Sequence, residues 1–314
     1  MTQKAQTTII GLLLLIALVI GACQQATGQS GEQLANTKSE SEDTNPTDPE
    51  EQYQLGWAYM NGEGVLRDWN QATHWFRKAA EQGNPEAQTA LGYAYLDGIG
   101  IEQDVNRAIH WWKKAAEQGH AGAQTNLGIA YMNGKGVLKD SNQATHWWRK
   151  AAEQGHAEAQ FNIGLAYEKG EGVLKDLTEA THWYRKAAEQ GDPEAQIELA
   201  QAYYDGEGVL KDWNQATHWW RKVAMQGHVR AQAALGFAYA RGEGVEQDFT
   251  EAYAWFIIAQ ATGGETEEQT KGMRDLTNRT ENELIPAQIK RGQQRAKELY
   301  EQIQANIAQR DQPN

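Results

Sequence analysis

Cysteine is almost missing from this 314-residue chain. Cys23 stands alone, so the folded part can hold no disulfide and no thiol chemistry. Serine nearly vanishes after Ser41, leaving only Ser141, directly behind a helix-capping position. A serine hydrolase would therefore rest on a side chain that no other part of the pattern carries. There is no Gly-x-Ser-x-Gly, no Ser-x-x-Lys, no glycine-rich phosphate loop and no His-Glu-x-x-His, so no catalytic residue, cofactor or metal is expected. Clustered positive charge is absent too: the net charge is −13 and Lys and Arg are scattered, which argues against nucleic acid as a partner. No apolar run reaches the roughly 20 residues of a membrane-spanning helix.

The one apolar run that does occur, Ile9 to Ile20, follows Lys4 and precedes the small residues Gly21 and Ala22, the order of an export signal. Ile20-Gly21-Ala22-Cys23 resembles the lipobox of bacterial lipoproteins, in which cleavage precedes a cysteine that receives diacylglycerol. The resemblance implies that residues 1–22 are removed and that Cys23 is lipidated, tying the chain to a membrane. Leu is usual in that family where Ile20 stands, a mild departure. By resemblance to enterobacterial sorting, Gln24 rather than Asp after the cysteine implies the outer membrane, facing the periplasm. Residues 23–50 carry Glu32, Glu40, Glu42, Asp43, Asp48 and Glu50 against Lys38 alone, and are expected to form a flexible tether.

Twelve Trp, 12 Tyr and 31 Gly beside 5 Phe and 6 Pro form a skew that copying one short pattern produces. Ala87, Ala123, Ala159, Ala195 and Ala231 each begin an Ala-Gln step, and 123 minus 87 is 36, a period that recurs at every later copy. Six copies fill about 51–264, the first of them expected to be incomplete. Within a copy, Ala108, Trp111, Trp112, Ala115 and Ala116 are spaced i, i+3, i+4, i+7, i+8, one stripe on a helix. Leu91-Gly92-Tyr93-Ala94-Tyr95 forms an earlier helix, stopped by Gly98 and Gly100. Asp68, Asp104, Asp140, Asp176, Asp212 and Asp248 stand where N-caps belong. Gln71, Gln143, Glu179, Gln215 and Glu251 follow three residues later, as in a capping box. Gly83, Gly119, Gly155, Gly191 and Gly227 close the second helix, and Pro85 and Pro193 suit a first helical turn. One copy cannot bury enough apolar surface to offset the entropy of ordering it, so neighbours must share a core. The expectation is an all-α, right-handed superhelical solenoid of six helix-turn-helix units. Residues 265–308 are expected to add capping helices, with Ala296, Leu299, Tyr300 and Ile303 on one side, ahead of a disordered tail at 309–314.

Ala-Gln-x-x-Leu-Gly-x-Ala-Tyr, Gly-Glu-Gly-Val and Ala-x-x-Trp-x-x-Lys-Ala-Ala-Glu-Gln-Gly together resemble the Sel1-like repeat, a relative of the tetratricopeptide repeat. The last copy departs, with Ala259-Gln260-Ala261-Thr262-Gly263 replacing the closing motif. In the related solenoids the first helices line a concave groove. That resemblance implies a partner-binding groove at Tyr53, Trp57, Met60 and Asn61; Thr89, Tyr93, Leu96 and Asp97; Thr125, Ile129 and Met132; Phe161, Leu165, Glu168 and Lys169; Ile197, Gln201, Tyr204 and Asp205; and Phe237 and Arg241. These positions vary while the scaffold positions are nearly copied, and they tilt toward large apolar residues, as recognition surfaces do.

The functional expectation is a lipid-anchored cell-envelope adaptor that binds a protein or peptide and catalyses nothing. Alternatives are a peptidoglycan-fragment binder, and a β-lactamase-like hydrolase of the kind linked to a cysteine-rich Sel1-like subgroup, whose paired cysteines this chain lacks. His74, His110, His146, His182 and His218 form a tempting column. Stacked helices lie about 8 to 10 Å apart whereas metal ligands converge within about 2 Å of an ion, so a surface role is expected. The same is expected of His120, His156 and His228. Trp75, Trp111, Trp147, Trp183, Trp219 and Trp255 are expected in the core.

Overall fold

The computed structural model describes residues 46–263 and 267–310; the predicted signal, Cys23, the tether up to residue 45 and residues 311–314 lie outside the described residues. Every regular element described is an α-helix. First and second helices alternate: α1 (Pro49–Asn61) with α2 (Trp69–Glu81), α3 (Pro85–Asp97) with α4 (Val105–Glu117), α5 (Ala121–Asn133) with α6 (Ser141–Glu153). Then come α7 (Ala157–Lys169) with α8 (Leu177–Glu189), α9 (Pro193–Asp205) with α10 (Trp213–Ala224), and α11 (Val229–Arg241) with α12 (Phe249–Thr262). From α1 to α12 consecutive helices pack on one another, and both α13 (Glu267–Asn282) and α14 (Pro286–Arg310) pack on α12. No described helix is long and apolar enough to cross a membrane.

The local chemistry explains the repeat. Each second helix starts at an aspartate whose carboxylate accepts backbone N–H groups of its first turn, Asp140 from Asn142 and Gln143 for example. The capping box, however, is only half formed. The aspartate N–H donates instead to a tyrosine carbonyl of the preceding helix, Asp68 to Tyr59 and Asp140 to Tyr131, so the residue three on has no N–H to return to. First helices end at glycines in the left-handed region, such as Gly98 at φ 71°. Two residues later Gly100 passes so close to the preceding unit that a Cβ would lie 2.0 Å from the Trp69 carbonyl. The loop is thereby held against the previous helix, and the Thr73 hydroxyl donates to the Ile99 carbonyl at 2.8 Å.

The Ala-Gln step is a buried ladder between units. Gln160, 4% exposed, donates Nε2 to the Ala152 carbonyl at 3.1 Å, while its Oε1 accepts Gln190 Nε2 at 2.7 Å. Gln88, Gln124 and Gln196 repeat the arrangement. The ladder breaks at the last copy, where Thr262 replaces the closing glutamine and the buried Oε1 of Gln232 has no partner.

The first unit is a full helix pair, and α1 begins before residue 51: Asp48 caps it and Pro49 occupies its first turn. The expected tether therefore gives way to folded chain by residue 48. At the other end Arg295 grips Glu251 of the last unit, with Nε to Oε2 at 3.0 Å, fixing α14 across α12.

The tryptophans divide into two sets. The second aromatics, Phe76, Trp112, Trp148, Tyr184, Trp220 and Phe256, are all buried. Of the first set, Trp75, Trp183 and Trp255 are buried, but Trp111, Trp147 and Trp219 keep part of the ring in solvent. Their exposed faces carry the lysine three residues on, Lys114 Nζ lying 4.5 Å from the Trp111 ring centroid.

Candidate functional site

A first helix exposes one stripe, spaced i, i+4, i+7, i+11, because its other sides pack on its own second helix, on the second helix of the preceding unit and, through side chains, on neighbouring first helices. On α3 the stripe is Glu86, Ala90, Tyr93 and Asp97; on α7 it is Glu158, Asn162, Leu165 and Lys169. Trp57, Tyr93, Ile129, Leu165, Gln201, Phe237 and Arg241, all predicted for the groove, lie on this face. Met60, Leu96, Met132, Phe161 and Tyr204 lie at its edges, partly covered by the core.

Tyr53, Thr89 and Ile197, placed in the groove by position, are instead buried, at 7%, 7% and 5% exposure, as is Thr125. They sit between adjacent first helices. The Thr89 hydroxyl is held by the Pro85 carbonyl at 2.8 Å and lies 3.1 Å from His120 Nδ1. The candidate face is therefore drawn without them. The row missed in their place is Gln54, Ala90, Asn162, Glu198 and Ala234, one residue further along each helix; Asn126 holds the same position but is buried. The missed row varies as much as the predicted row, so variation alone could not separate the two; the helical spacing from Tyr93 back to Ala90 and Glu86 could have.

Neighbouring first helices are linked across this face. The Tyr93 hydroxyl donates to Asn126 Oδ1 at 3.0 Å, and burial pushes its pKa up to about 12. The Asn126 Nδ2, buried in the same place, has no partner. The face carries seven carboxylates, Glu50, Glu86, Asp97, Glu158, Glu194, Glu198 and Asp205, against Lys169, Arg230 and Arg241. None of the seven has a cation within ion-pair distance among the described residues. Burial raises the pKa of Asp97, partly offset by Lys135, and of Glu198, partly offset by Arg230. For Glu158 burial does the same and the neighbouring Asp192 adds to it.

At the end of the face nearest α12, Tyr204 donates to Glu243 Oε2 at 3.0 Å and accepts from Arg241 at 3.1 Å. A cavity of about 170 Å³ opens there between α9 and α11.

The histidines fall into two groups. His74, His110, His146, His182 and His218 are exposed on the second helices, each edge-on to its neighbouring tryptophan at 5.3–5.5 Å. His120, His156 and His228 are not plain surface residues: they occupy the N-cap position of α5, α7 and α11 and are half-buried. His120 Nδ1 accepts the Ala123 N–H at 3.1 Å, doing what Asn84 and Asp192 do in other units. Burial lowers the pKa of all three. Among the described residues no three His, Cys, Asp or Glu converge as a metal site would need.

Six equal helix pairs, each stacked on the next through shared caps, glutamines and aromatics, define a helical-repeat solenoid. The chain belongs to the Sel1 repeat family: the Sel1 repeat model matches residues 52–84, 85–120, 121–156, 157–192, 193–228 and 229–259. It is similar to the crystal structure of a Sel1 repeat protein from Oxalobacter formigenes, with 36% identity, a TM-score of 0.61, and 70% of this chain and 87% of that one covered. It is also similar to c5321, a protective antigen of uropathogenic Escherichia coli strains displaying an SLR fold. There the identity is 31% and the TM-score 0.54, covering 85% of this chain and 64% of that one, so under two thirds of that protein's length is spanned. No curated protein matches the chain. Sel1 repeat solenoids are typically scaffolds for protein–protein interaction and generally not enzymes.

Proposed function

We propose that this protein is a lipid-anchored adaptor of the bacterial cell envelope, which captures a protein or peptide on the face formed by its first helices. The observation that carries the binding role is the contrast within one helix. Positions facing the core repeat almost unchanged, while Trp57, Tyr93, Ile129, Leu165, Gln201 and Phe237, at one position of the pattern, differ from unit to unit, are apolar or aromatic in all but one, and stay at least partly in solvent. Stacking determines the first set, and a partner accounts for the diversity and apolar character of the second. Export and anchoring rest on the Lys4, Ile9–Ile20 and Ile20-Gly21-Ala22-Cys23 pattern, and the outer-membrane address on Gln24.

Two measurements test the proposal. Radiolabelled palmitate supplied to expressing cells labels the wild-type chain and leaves Cys23→Ser unlabelled; a label that survives the substitution removes the anchor. Capture from intact envelopes loses a defined protein when Ile129→Glu and Leu165→Glu are introduced together at unchanged helicity. Identical captures would move the binding role off this face.

A further inference from the structure

In five of the six units a glycine of the first helix lets the aromatic ring of the second lie directly on the backbone. A Cβ at Gly56, Gly92, Gly128, Gly164 or Gly236 would come within 2.3 to 2.6 Å of that ring. So placed, the Trp112 indole N–H donates to the Thr89 carbonyl and that of Trp148 to the Thr125 carbonyl, both at 3.2 Å. The fifth unit breaks the rule with Ala200, fully buried beside Trp220. Its methyl occupies the space that the ring takes elsewhere, and no corresponding bond joins Trp220 to the Ile197 carbonyl among the described residues. Displaced Trp220 lines the cavity between α9 and α11, together with Gln201, Tyr204, Phe237, Arg241 and Glu243. The cavity thus lies in the unit where the repeat departs from glycine. Three aromatic walls with a polar rim suit an apolar anchor.

The rest of the same face is electronegative: its seven carboxylates outnumber the cations Lys169, Arg230 and Arg241, and none of the seven is in an ion pair among the described residues. Asp97, Glu158 and Glu198 are held where burial disfavours their charge, which weakens the fold at neutral pH. Destabilising groups retained together on one face mark a surface shaped by something other than stability. The buried Asn126 Nδ2 beside the Tyr93 hydroxyl adds a hydrogen-bond donor without an acceptor in the middle of this stretch.

We propose that the first-helix face takes an extended, net-basic peptide, and that the cavity between α9 and α11 receives one large apolar side chain of it. This rests on the first-helix face being the binding face. Lysine or arginine side chains of the occupant meet the carboxylates of α3, α7 and α9, and the anchor lies against Tyr204, Trp220 and Phe237. Charge complementarity of this kind governs selectivity and approach, while the anchor sets residence time.

The test uses the full chain in detergent and an array of peptides long enough to span three units. The peptides come in basic, neutral and acidic classes, each with and without one Phe, Trp, Leu or Met. The expected result is selection of basic peptides bearing the anchor, weakening as salt is raised. The combined Asp97→Asn, Glu158→Gln, Glu198→Gln variant reduces the preference for basic over neutral peptides by roughly tenfold and keeps the preference for the anchor. Ala200→Gly, which lets Trp220 settle as Trp112 does, removes the anchor preference and keeps the charge preference. An array with no binding, or one ranking neutral or acidic peptides level with basic ones, overturns the inference. Binding that prefers neutral or acidic peptides yet disappears in the Ile129→Glu, Leu165→Glu variant overturns only the basic occupant and leaves the face in place; binding untouched by that variant removes the face as well.

Discussion

Replacing Gln160 by Met removes both polar ends of a rung of the glutamine ladder at nearly constant shape. The Ala152 carbonyl loses its side-chain partner in a place where Gln160 itself is 4% exposed but keeps the Gly155 N–H at 3.0 Å, so the lost bond costs about 0.5–1.5 kcal/mol. The Gln190 side chain loses its 2.7 Å bond but is itself exposed and can turn to water, which adds about 1 kcal/mol or less. The expected loss is about 1–2 kcal/mol. Gln232→Met provides the control. That side chain makes the same bond to Ala224, at 3.3 Å, but its Oε1 is already without a partner, so substitution also removes an orphaned atom. Gln232→Met is thus expected to cost about 1 kcal/mol less than Gln160→Met. Urea unfolding followed by far-ultraviolet circular dichroism, with equal m-values, measures both. Equal losses, or a larger loss at Gln232, would refute the ladder as a source of inter-unit stability.

Gly128→Ala, which puts a methyl 2.3 Å from the Trp148 ring, is expected to destabilise by about 1–3 kcal/mol in the same unfolding assay. Lowered histidine pKa values mean that the unfolded chain takes up protons first. Stability is then full above the ordinary value of 6.5 and falls as pH drops below it; His120→Asn, which keeps the cap as Asn84 does, should flatten part of that fall in melts between pH 7 and 5. Glu158 has the opposite sign: its raised pKa leaves a penalty that builds as pH rises through the carboxylate range, so Glu158→Gln should melt higher than wild type at pH 7 and level with it near pH 3. Leu66, Leu138, Leu174 and Leu210 are 90–91% exposed, so changing each to Gln should alter stability by no more than about 0.5 kcal/mol in melting experiments.

The scaffold was legible because it is periodic. Asp140, Gly98 and the Ala108 to Ala116 stripe each recur every 36 residues, and each has a single local use. What escaped the sequence depends on which neighbour a side chain meets. Thr89 and Ala90 are adjacent and both small, yet one is sealed between first helices and the other faces solvent, a difference of one helical step. His120 looked like turn surface because histidine is not a usual cap, and only its bond to the Ala123 N–H shows otherwise. The cavity lined by Trp220 falls in the unit that carries Ala200, a change of one methyl within a row of glycines that looks conservative until the ring lying on that row is placed.

The central claim is that partners meet the first helices. A photoreactive amino acid placed in turn at Ala90, Asn162, Gln201 and Ala234, and at the exposed second-helix positions His74, His110, His146 and His182, tests it in intact envelopes. One defined product is expected from the first set and not from the second. Products from the second-helix positions alone would contradict it.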